Sequence, residues 1–187
     1  RGFCIEPRAE VYERLLANRR GSWNYHAIAS ASSPHGSLAG LLQSGTDGQA
    51  AHIESGDVVN WSVKRRPERG HKQRREAVAV CHLQQLLDER QVSHLDFVSV
   101  DVEGSSFDVL RTIDFERTSI SFLVVERPTA DVTALLASSG YSRLLAYTSQ
   151  YGDQLFVQNA SMDGYLPLVQ AAMRFTSRIS PRHQAFA

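Results

Sequence analysis

The stretch HLDFVSVDVEGSSFDVLRTIDF, residues 94–115, decides the fold class of this 187-residue chain. Its first part, Leu95–Val100, is apolar enough to form a buried strand, and an amphipathic helix is predicted directly after it, over Ser105–Ile113. Apolar strands that alternate with amphipathic helices are typical of a parallel sheet covered on both faces. The stretch therefore indicates an α/β protein.

The same alternation extends outward from this stretch, over residues 2–139, and a hairpin follows it. The predicted strands are Gly2–Glu6 (buried), Tyr25–Ala29, Ser37–Leu42, Asp57–Ser62, Val78–Val80, Ile120–Val125, Tyr141–Tyr147 and Gln154–Gln158. Further helices are predicted at Arg8–Arg20, from Leu83 to near Gln91, at Thr129–Ser139 and at Tyr165–Phe175. The expected architecture is a mostly parallel sheet that ends in a C-terminal antiparallel hairpin.

Composition excludes several classes of protein. Lys+Arg and Asp+Glu are 20 each, and 42% of the residues are hydrophobic, which argues against a disordered chain or a globally basic nucleic-acid binder. No apolar run approaches the ~20 residues that a membrane helix needs. Cys4 and Cys81 are too few for a disulfide framework and are predicted to be buried thiols. Trp23 and Tyr25 are expected in the core.

Residues 64–75 carry seven basic side chains against one acidic residue, Glu68. Such a run could bind phosphate-bearing acceptors, acidic glycans or RNA, but a solvated insertion is the favoured interpretation. We therefore expect no nucleic-acid partner. The seven histidines show no spacing typical of metal ligands, so no metal site is expected.

Carboxylates follow three of the predicted strands. Ligands of open α/β sheets bind beyond the carboxyl ends of the strands, where Glu6, Asp101, Glu103 and Glu126 are placed. Asp101 and Glu103 lie two apart on an extended segment, so their side chains should converge on one cleft. Gly104 then allows a sharp turn into the next helix.

Each carboxylate also has a structural alternative. Asp101 and Glu103 could serve as the N-cap and first-turn charge of the following helix. Glu6 could be an exposed strand end, and Glu126 could simply pair with Arg127.

Several segments together resemble the FkbM-type methyltransferases. GFCIEPRAEVYERLLANRR (residues 2–20) is similar to their second strand and helix, and residues 94–115 match their D-x-E-G turn, helix and "IDF" end. ISFLVVE (120–126), SSGY (138–141) and the final hairpin also fit. The Star-like proteins, which are linked to secretory-pathway trafficking, share this pattern, and the resemblance covers roughly residues 1 to 158.

The resemblance implies a Rossmann-like methyltransferase fold and O-methylation of a sugar or similar small hydroxyl acceptor by S-adenosylmethionine. Glu6 would hold the cofactor ribose, as expected of a carboxylate that closes the second strand of a nucleotide-binding unit. The cofactor-binding residues carried over by position are Glu6, Ala27, Ile28, Ala29 and Asp101. Asp101 and Glu103 would be catalytic, since either could orient or deprotonate the acceptor hydroxyl.

The resemblance also sets the expected domain organisation. We expect an FkbM-like domain over residues 1–160 with an insertion and basic loop at about 30–76, and a C-terminal helix and tail over 161–187. The family's first strand and Gly-rich turn would precede Arg1, so the chain is expected to be a partial domain with impaired cofactor binding. The partner would be a small-molecule or glycan acceptor, and a cytoplasmic location is favoured over the secretory pathway. The alternative is a non-catalytic Star-like adaptor that retains the fold.

Overall fold

The computed structural model describes residues 1–44, 50–54, 74–148, 152–161 and 164, and these form a mixed α/β protein. The chain divides into two compact units. The first unit comprises Arg1–Ser93 and Ser105–Asp114, and the second comprises His94–Gly104 and Phe115–Ala187.

The described elements alternate between strands and helices over most of the chain. The strands are β1 (Phe3–Glu6), β2 (Trp23–Ala29), β3 (Leu38–Ser44), β4 (Ala50–Glu54), β5 (Arg74–Cys81), β6 (His94–Val100), β7 (Ser119–Val125), β8 (Tyr141–Thr148) and β9 (Gln154–Gln158). The helices are α1 (Ala9–Asn18), α2 (Leu83–Glu89), α3 (Ser106–Leu110) and α4 (Ala130–Ser138), and a 3-10 turn covers Asn159–Ser161.

The first unit contains a five-stranded sheet in the order β1-β2-β5-β3-β4. β2 pairs in parallel with both β1 and β5, whereas β3 runs antiparallel to β5 and β4. The strand predicted at Ser37–Leu42 is confirmed as β3. β4 was not predicted, and the strand expected at Asp57–Ser62 lies outside the described residues. The β3–β4 hairpin therefore extends this sheet beyond its parallel part.

The second unit contains a four-stranded sheet in the order β6-β7-β9-β8. β6 and β7 are parallel, and β9 runs antiparallel to both β7 and β8. This confirms the predicted C-terminal hairpin. Among the described strands three pairings are parallel and four are antiparallel, so the sheets are mixed rather than mostly parallel.

Each unit has its own apolar core. In the second, Ile120, Leu123 and Val125 of β7 are fully enclosed, and so are Val132 and Leu136 of α4. In the first, the sheet buries two groups of apolar side chains: Ile28, Ala39, Leu41, Val78 and Val80, and Ala27, Cys81 and Leu86. Cys81 is a buried thiol as predicted, and burial raises its pKa to about 12, whereas Cys4 is only half-buried.

The two strands that were expected to be buried are largely accessible. In β6 only Val100 is buried, and Phe97 is 57% exposed. β1 is half-buried throughout. Each of these strands lies at the edge of its sheet and has one paired neighbour among the described strands, a position that an apolar sequence does not reveal.

Two helices also differ from expectation. α3 is a helix of five residues rather than nine, because the N–H groups of Thr112 and Ile113 bond three residues back and close a tighter turn. α1 forms where predicted but buries none of its side chains, and Leu16 is 43% exposed.

Parts of the predicted organisation fall on undescribed residues. The basic residues 64–73 and the helix predicted at Tyr165–Phe175 lie outside the described residues. Among the residues that are described, no helix is long and apolar enough to cross a membrane.

Candidate active site

Two parallel strands end side by side and bring acidic residues to one edge of the second unit. β6 and β7 are paired as far as Val100 and Val125, and the N–H of Glu126 donates to the carbonyl of Val100 at 2.9 Å. Asp101 and Glu103 follow β6, and Glu126 follows β7. Because parallel strands run in the same direction, the residues after them meet at one edge.

The three carboxylates form a tight group, which we call the acidic cluster (Asp101, Glu103 and Glu126). Oxygens from all three lie within 4.8 Å of one another. Asp101 and Glu103 are exposed, whereas the side chain of Glu126 is only 16% exposed. The convergence of Asp101 with Glu103 was predicted from their spacing. Glu126 joins them through the parallel pairing of β6 with β7.

Arg127 is the cation of this cluster. Its Nε donates to Oε1 of Glu126 at 2.9 Å, and its Nη2 donates to Oε2 of Glu103 at 3.1 Å and also to Glu126. The predicted pair between Glu126 and Arg127 therefore exists, but it is part of a larger network. The negative partners, Glu126 foremost, raise the pKa of Arg127 further above its usual value.

The backbone around the cluster is unusual. Glu103 and Arg127 have φ of +48° and +39°, in the left-handed region that side chains other than glycine rarely adopt. Gly104 follows with φ of +96°, consistent with the predicted sharp turn. Left-handed residues of this kind concentrate at functional sites because the surrounding structure must hold them there.

A glycine in the β8–β9 connection leaves room for the aliphatic part of the Arg127 side chain. Gly152 has φ of +90°, and a Cβ added there would lie 3.1 Å from Cγ of Arg127. The side chain of Arg127 thus packs directly against the backbone of Gly152. The next residue, Asp153, adds a further negative charge that acts on Asp101.

The pKa of Asp101 is raised to about 6. Partial desolvation of the carboxyl group contributes most, followed by its hydrogen bond to Glu126 and then by the negative charges of Glu126, Glu103 and Asp153. Oε2 of Glu126 is buried and has no hydrogen-bond partner among the described groups. Asp101 is therefore poised to take up and release a proton close to neutral pH.

The structural alternative, in which Asp101 and Glu103 provide the N-cap and the first-turn charge of the following helix, is wrong. The N-cap of α3 is Ser105, which makes no side-chain capping bond, and the first-turn acidic residue is Asp108. Neither Asp101 nor Glu103 is a cap of this helix.

Among the described residues, the acidic cluster is also the group of side chains whose spacing could hold a metal ion. The spacing of the histidines predicted no metal site, and it carries no information on carboxylates that strand pairing brings together. Spacing alone does not make a metal site, because exposed acidic groups commonly carry no ion. Arg127 already supplies positive charge to two of the three carboxylates.

Glu6, the predicted ribose ligand, closes β1 in the first unit. Its Oε1 accepts the backbone N–H of Arg8 at 2.9 Å and lies 3.3 Å from Nε of the same residue. Its side chain is 21% exposed. Among the described residues, Oε2 has no hydrogen-bond partner. The carboxylate is thus partly engaged in starting α1 and partly available.

The residues predicted to lie near an adenine differ in accessibility. The side chains of Ala27 and Ile28 are buried in the sheet of the first unit, with 5% and 3% exposure, whereas Ala29 is half-buried. A ligand at this strand end could meet Ala29 and the backbone beyond it, but not the side chains of Ala27 and Ile28.

Asp108 is a site residue that the sequence analysis missed. Its carboxylate accepts hydrogen bonds from the hydroxyls of Ser30 and Ser32, from the N–H of Ala31 at 3.1 Å and from Arg111. Burial acts to raise its pKa, but the bonds from Ser30, Ser32 and Arg111 and the charge of Arg111 outweigh burial and lower it. This cluster, which we call the serine anchor, fixes the loop that leaves β2 directly after Ala29.

The comparison with known proteins identifies the family. Neither curated proteins nor solved structures give a significant match. Residues 4–155 match the model of the methyltransferase FkbM domain, which spans the acidic cluster, Glu6 and the serine anchor, and the chain therefore belongs to the FkbM methyltransferase family.

Proposed function

We propose that this FkbM-domain protein transfers a methyl group from S-adenosylmethionine to a hydroxyl group of a sugar or another small acceptor. Membership of a methyltransferase family supports the reaction class. The single observation that carries the proposal is the acidic cluster, in which Asp101 has a pKa of about 6 at the carboxyl end of β6. This is a suitable group for proton transfer at neutral pH.

The cofactor supplies a methyl group bound to a positively charged sulfur. The available oxygen of Glu6 fits a ribose hydroxyl, because an ionised carboxylate only accepts hydrogen bonds. Ala29 and the loop held by the serine anchor fit the edge of an adenine. The negative charges around Asp101 suit a cation, since they exceed the single charge of Arg127.

In this proposal Asp101 accepts the proton of the acceptor hydroxyl. Glu126 is its hydrogen-bonded partner, and Arg127 holds Glu126 and Glu103 in place. General-base assistance of this kind typically contributes 10²–10⁴-fold to a rate. Alignment of acceptor oxygen, methyl carbon and sulfur would supply much of the remainder.

The test is cofactor binding and turnover in the full-length protein. Isothermal titration with S-adenosylmethionine should give saturable binding, and Glu6→Gln should weaken it about tenfold or more through loss of charge-assisted hydrogen bonds. Glu13→Gln, which neutralises an exposed carboxylate on α1, is the matched control and should leave affinity unchanged.

Turnover is then measured as release of S-adenosylhomocysteine with a panel of free sugars and sugar phosphates. Turnover with a hydroxyl acceptor supports the proposal. Absence of cofactor binding in the wild-type protein contradicts it and favours the non-catalytic adaptor. Equal cofactor affinity in Glu6→Gln and the wild-type protein contradicts the ribose assignment alone.

A further inference from the structure

The first unit has a concave feature at the end of β2 opposite to Ala29. It is an open pocket of about 440 Å³ lined by the last turn of α1, the start of β2 and the C-cap of α2. Trp23, at its wall, begins β2, and Ala29 ends it, so the two lie about 20 Å apart along the strand at ~3.3 Å per residue. We call this feature the arginine pocket.

The arginine pocket is cationic. Arg20 and Arg90 line it, and no acidic residue does. Both arginines are exposed, and among the described residues neither forms an ion pair. A third guanidinium, that of Arg1, lies 4.7 Å from the ring centroid of Trp23. Positive charge without neighbouring carboxylates attracts anions.

Arg90 is held in a defined orientation. Its Nε donates to the hydroxyl oxygen of Tyr25 at 3.1 Å, and its guanidinium carbon lies 5.5 Å from the ring centroid of Trp23. These contacts use Nε and leave the two terminal nitrogens without partners among the described residues. A guanidinium fixed by an aromatic ring and a hydroxyl is pre-organised to bind a carboxylate or phosphate through two parallel hydrogen bonds.

Trp23 and Tyr25 hold Arg90 in this orientation, and Tyr25 also packs against the buried cluster of Ala27, Cys81 and Leu86. Trp23 and Tyr25 were expected to be buried, yet both are half-buried and line the pocket. Leu16, the exposed apolar residue of α1, lines the same pocket. Its volume lies within the range of small-molecule sites, about 300–1,000 Å³.

We propose that the arginine pocket binds the carboxylate or phosphate group of a small organic anion, with Arg90 as the principal ligand and Arg20 as the second. The pocket lies at the opposite end of β2 from Ala29, and the proposal does not depend on the proposed methyl transfer. S-adenosylmethionine should therefore not compete with the anion.

The test uses fluorescence of Trp23 in this 187-residue chain with Trp61, its second tryptophan, replaced by phenylalanine. The probes are glucose 6-phosphate and glucuronate at constant ionic strength, with neutral glucose for comparison. Saturable fluorescence changes with either anion, and none with glucose, support the proposal. A preference for glucose 6-phosphate identifies phosphate as the better group, and a preference for glucuronate identifies carboxylate.

Three variants assign the binding residues. Arg90→Gln should weaken binding about tenfold or more, and Arg90→Lys should weaken it by several-fold because charge remains without the planar fork. Arg14→Gln removes an exposed arginine of α1 that does not line the pocket, and should have no effect. Thermal unfolding midpoints establish that each variant is folded.

Three results would overturn the proposal. One is the absence of a saturable signal up to roughly 20 mM probe, which is weaker than a functional site of this size would bind. Another is binding of glucose as tight as that of glucose 6-phosphate. The third is equal weakening by Arg14→Gln and Arg90→Gln.

Discussion

Asp101 and Asp108 are close in sequence, and each stands at the centre of a polar cluster, but their surroundings differ. Asp101 faces three other carboxylates, and its pKa is raised to about 6. Asp108 receives hydrogen bonds from two serines, a backbone N–H and an arginine, and its pKa is lowered. A carboxylate among like charges readily exchanges a proton, whereas one surrounded by donors stays ionised and holds structure. The comparison therefore separates a candidate base from an anchor.

The largest effect should come from removal of the candidate base. Asp101→Asn keeps the shape of the side chain but cannot accept a proton, so kcat/KM for the acceptor should fall by about 10²–10³-fold. Cofactor affinity should fall by less than kcat/KM, because Asp101 is one of several negative charges expected near the sulfonium. Steady-state kinetics checks this, with Asp96→Asn, an exposed carboxylate of β6, as the control. A fall of less than threefold would show that Asp101 is not the base.

Removal of Asp108, the acceptor of the serine anchor, should instead affect mainly stability and cofactor binding. Asp108→Ala leaves the hydroxyl of Ser30, which is 1% exposed, without its acceptor and should lower the free energy of unfolding by about 2–3 kcal/mol. Urea denaturation measures this loss, and Asp96→Asn again provides the control. Because the anchor fixes the loop after Ala29, Asp108→Ala should also raise the Kd for S-adenosylmethionine more than it lowers kcat. Wild-type stability in this variant would contradict an anchoring role.

The difference between the two clusters could be foreseen only in part. The spacing of Asp101 and Glu103 on an extended segment was enough to predict that they converge, and both lie in the cluster. Glu126 was recognised as a strand end, but its place beside Asp101 depends on the parallel register of Val100 with Val125. Register is a long-range property that no local pattern specifies.

Asp108 was missed for a related reason. In sequence it reads as a polar position of an amphipathic helix, and its partners Ser30 and Ser32 lie in a distant serine-rich segment. The accessibility of β6 was equally hard to predict: its apolar run resembles a buried strand, yet Phe97 is 57% exposed. The local sequence predicts the type of each element and the position where a strand ends. Strand pairing decides which side chains meet.

A change in pH should alter the stability contributions of Asp101 and Asp108 in opposite directions. Asp101 has a raised folded-state pKa, so its contribution is fully present below about pH 4 and is lost as pH rises through about 6. Solvent screening of this exposed residue reduces the effect to about 1 kcal/mol. Asp108 has a lowered pKa, so its contribution is present above the unfolded value and is lost as pH falls through the folded value.

The measurement is urea denaturation from pH 3 to 8 for the wild-type protein and both asparagine variants. Asp101→Asn should be about 1 kcal/mol more stable than the wild-type protein at pH 7, and the gain should vanish near pH 4. Asp108→Asn should be less stable at pH 7 and approach the wild-type protein at low pH. If the stability of the two variants changed with pH in the same way, the proposed difference between the acidic cluster and the serine anchor would be wrong.

The smallest effect should come from Arg127, whose positive charge offsets the carboxylates around Asp101. Arg127→Gln leaves Glu103 and Glu126 without their counter-ion, so the pKa of Asp101 should rise further, by about half a unit or ~0.7 kcal/mol. The acid limb of the pH–rate profile should therefore move to higher pH, because more of the base is protonated at a given pH. Direct NMR titration of the carboxyl carbon of Asp101 measures the same change without any acceptor. Arg143→Gln, which removes an exposed arginine from β8, is the control and should leave this titration unchanged. A shift to lower pH in Arg127→Gln would contradict the role of the guanidinium as the counter-ion of the cluster.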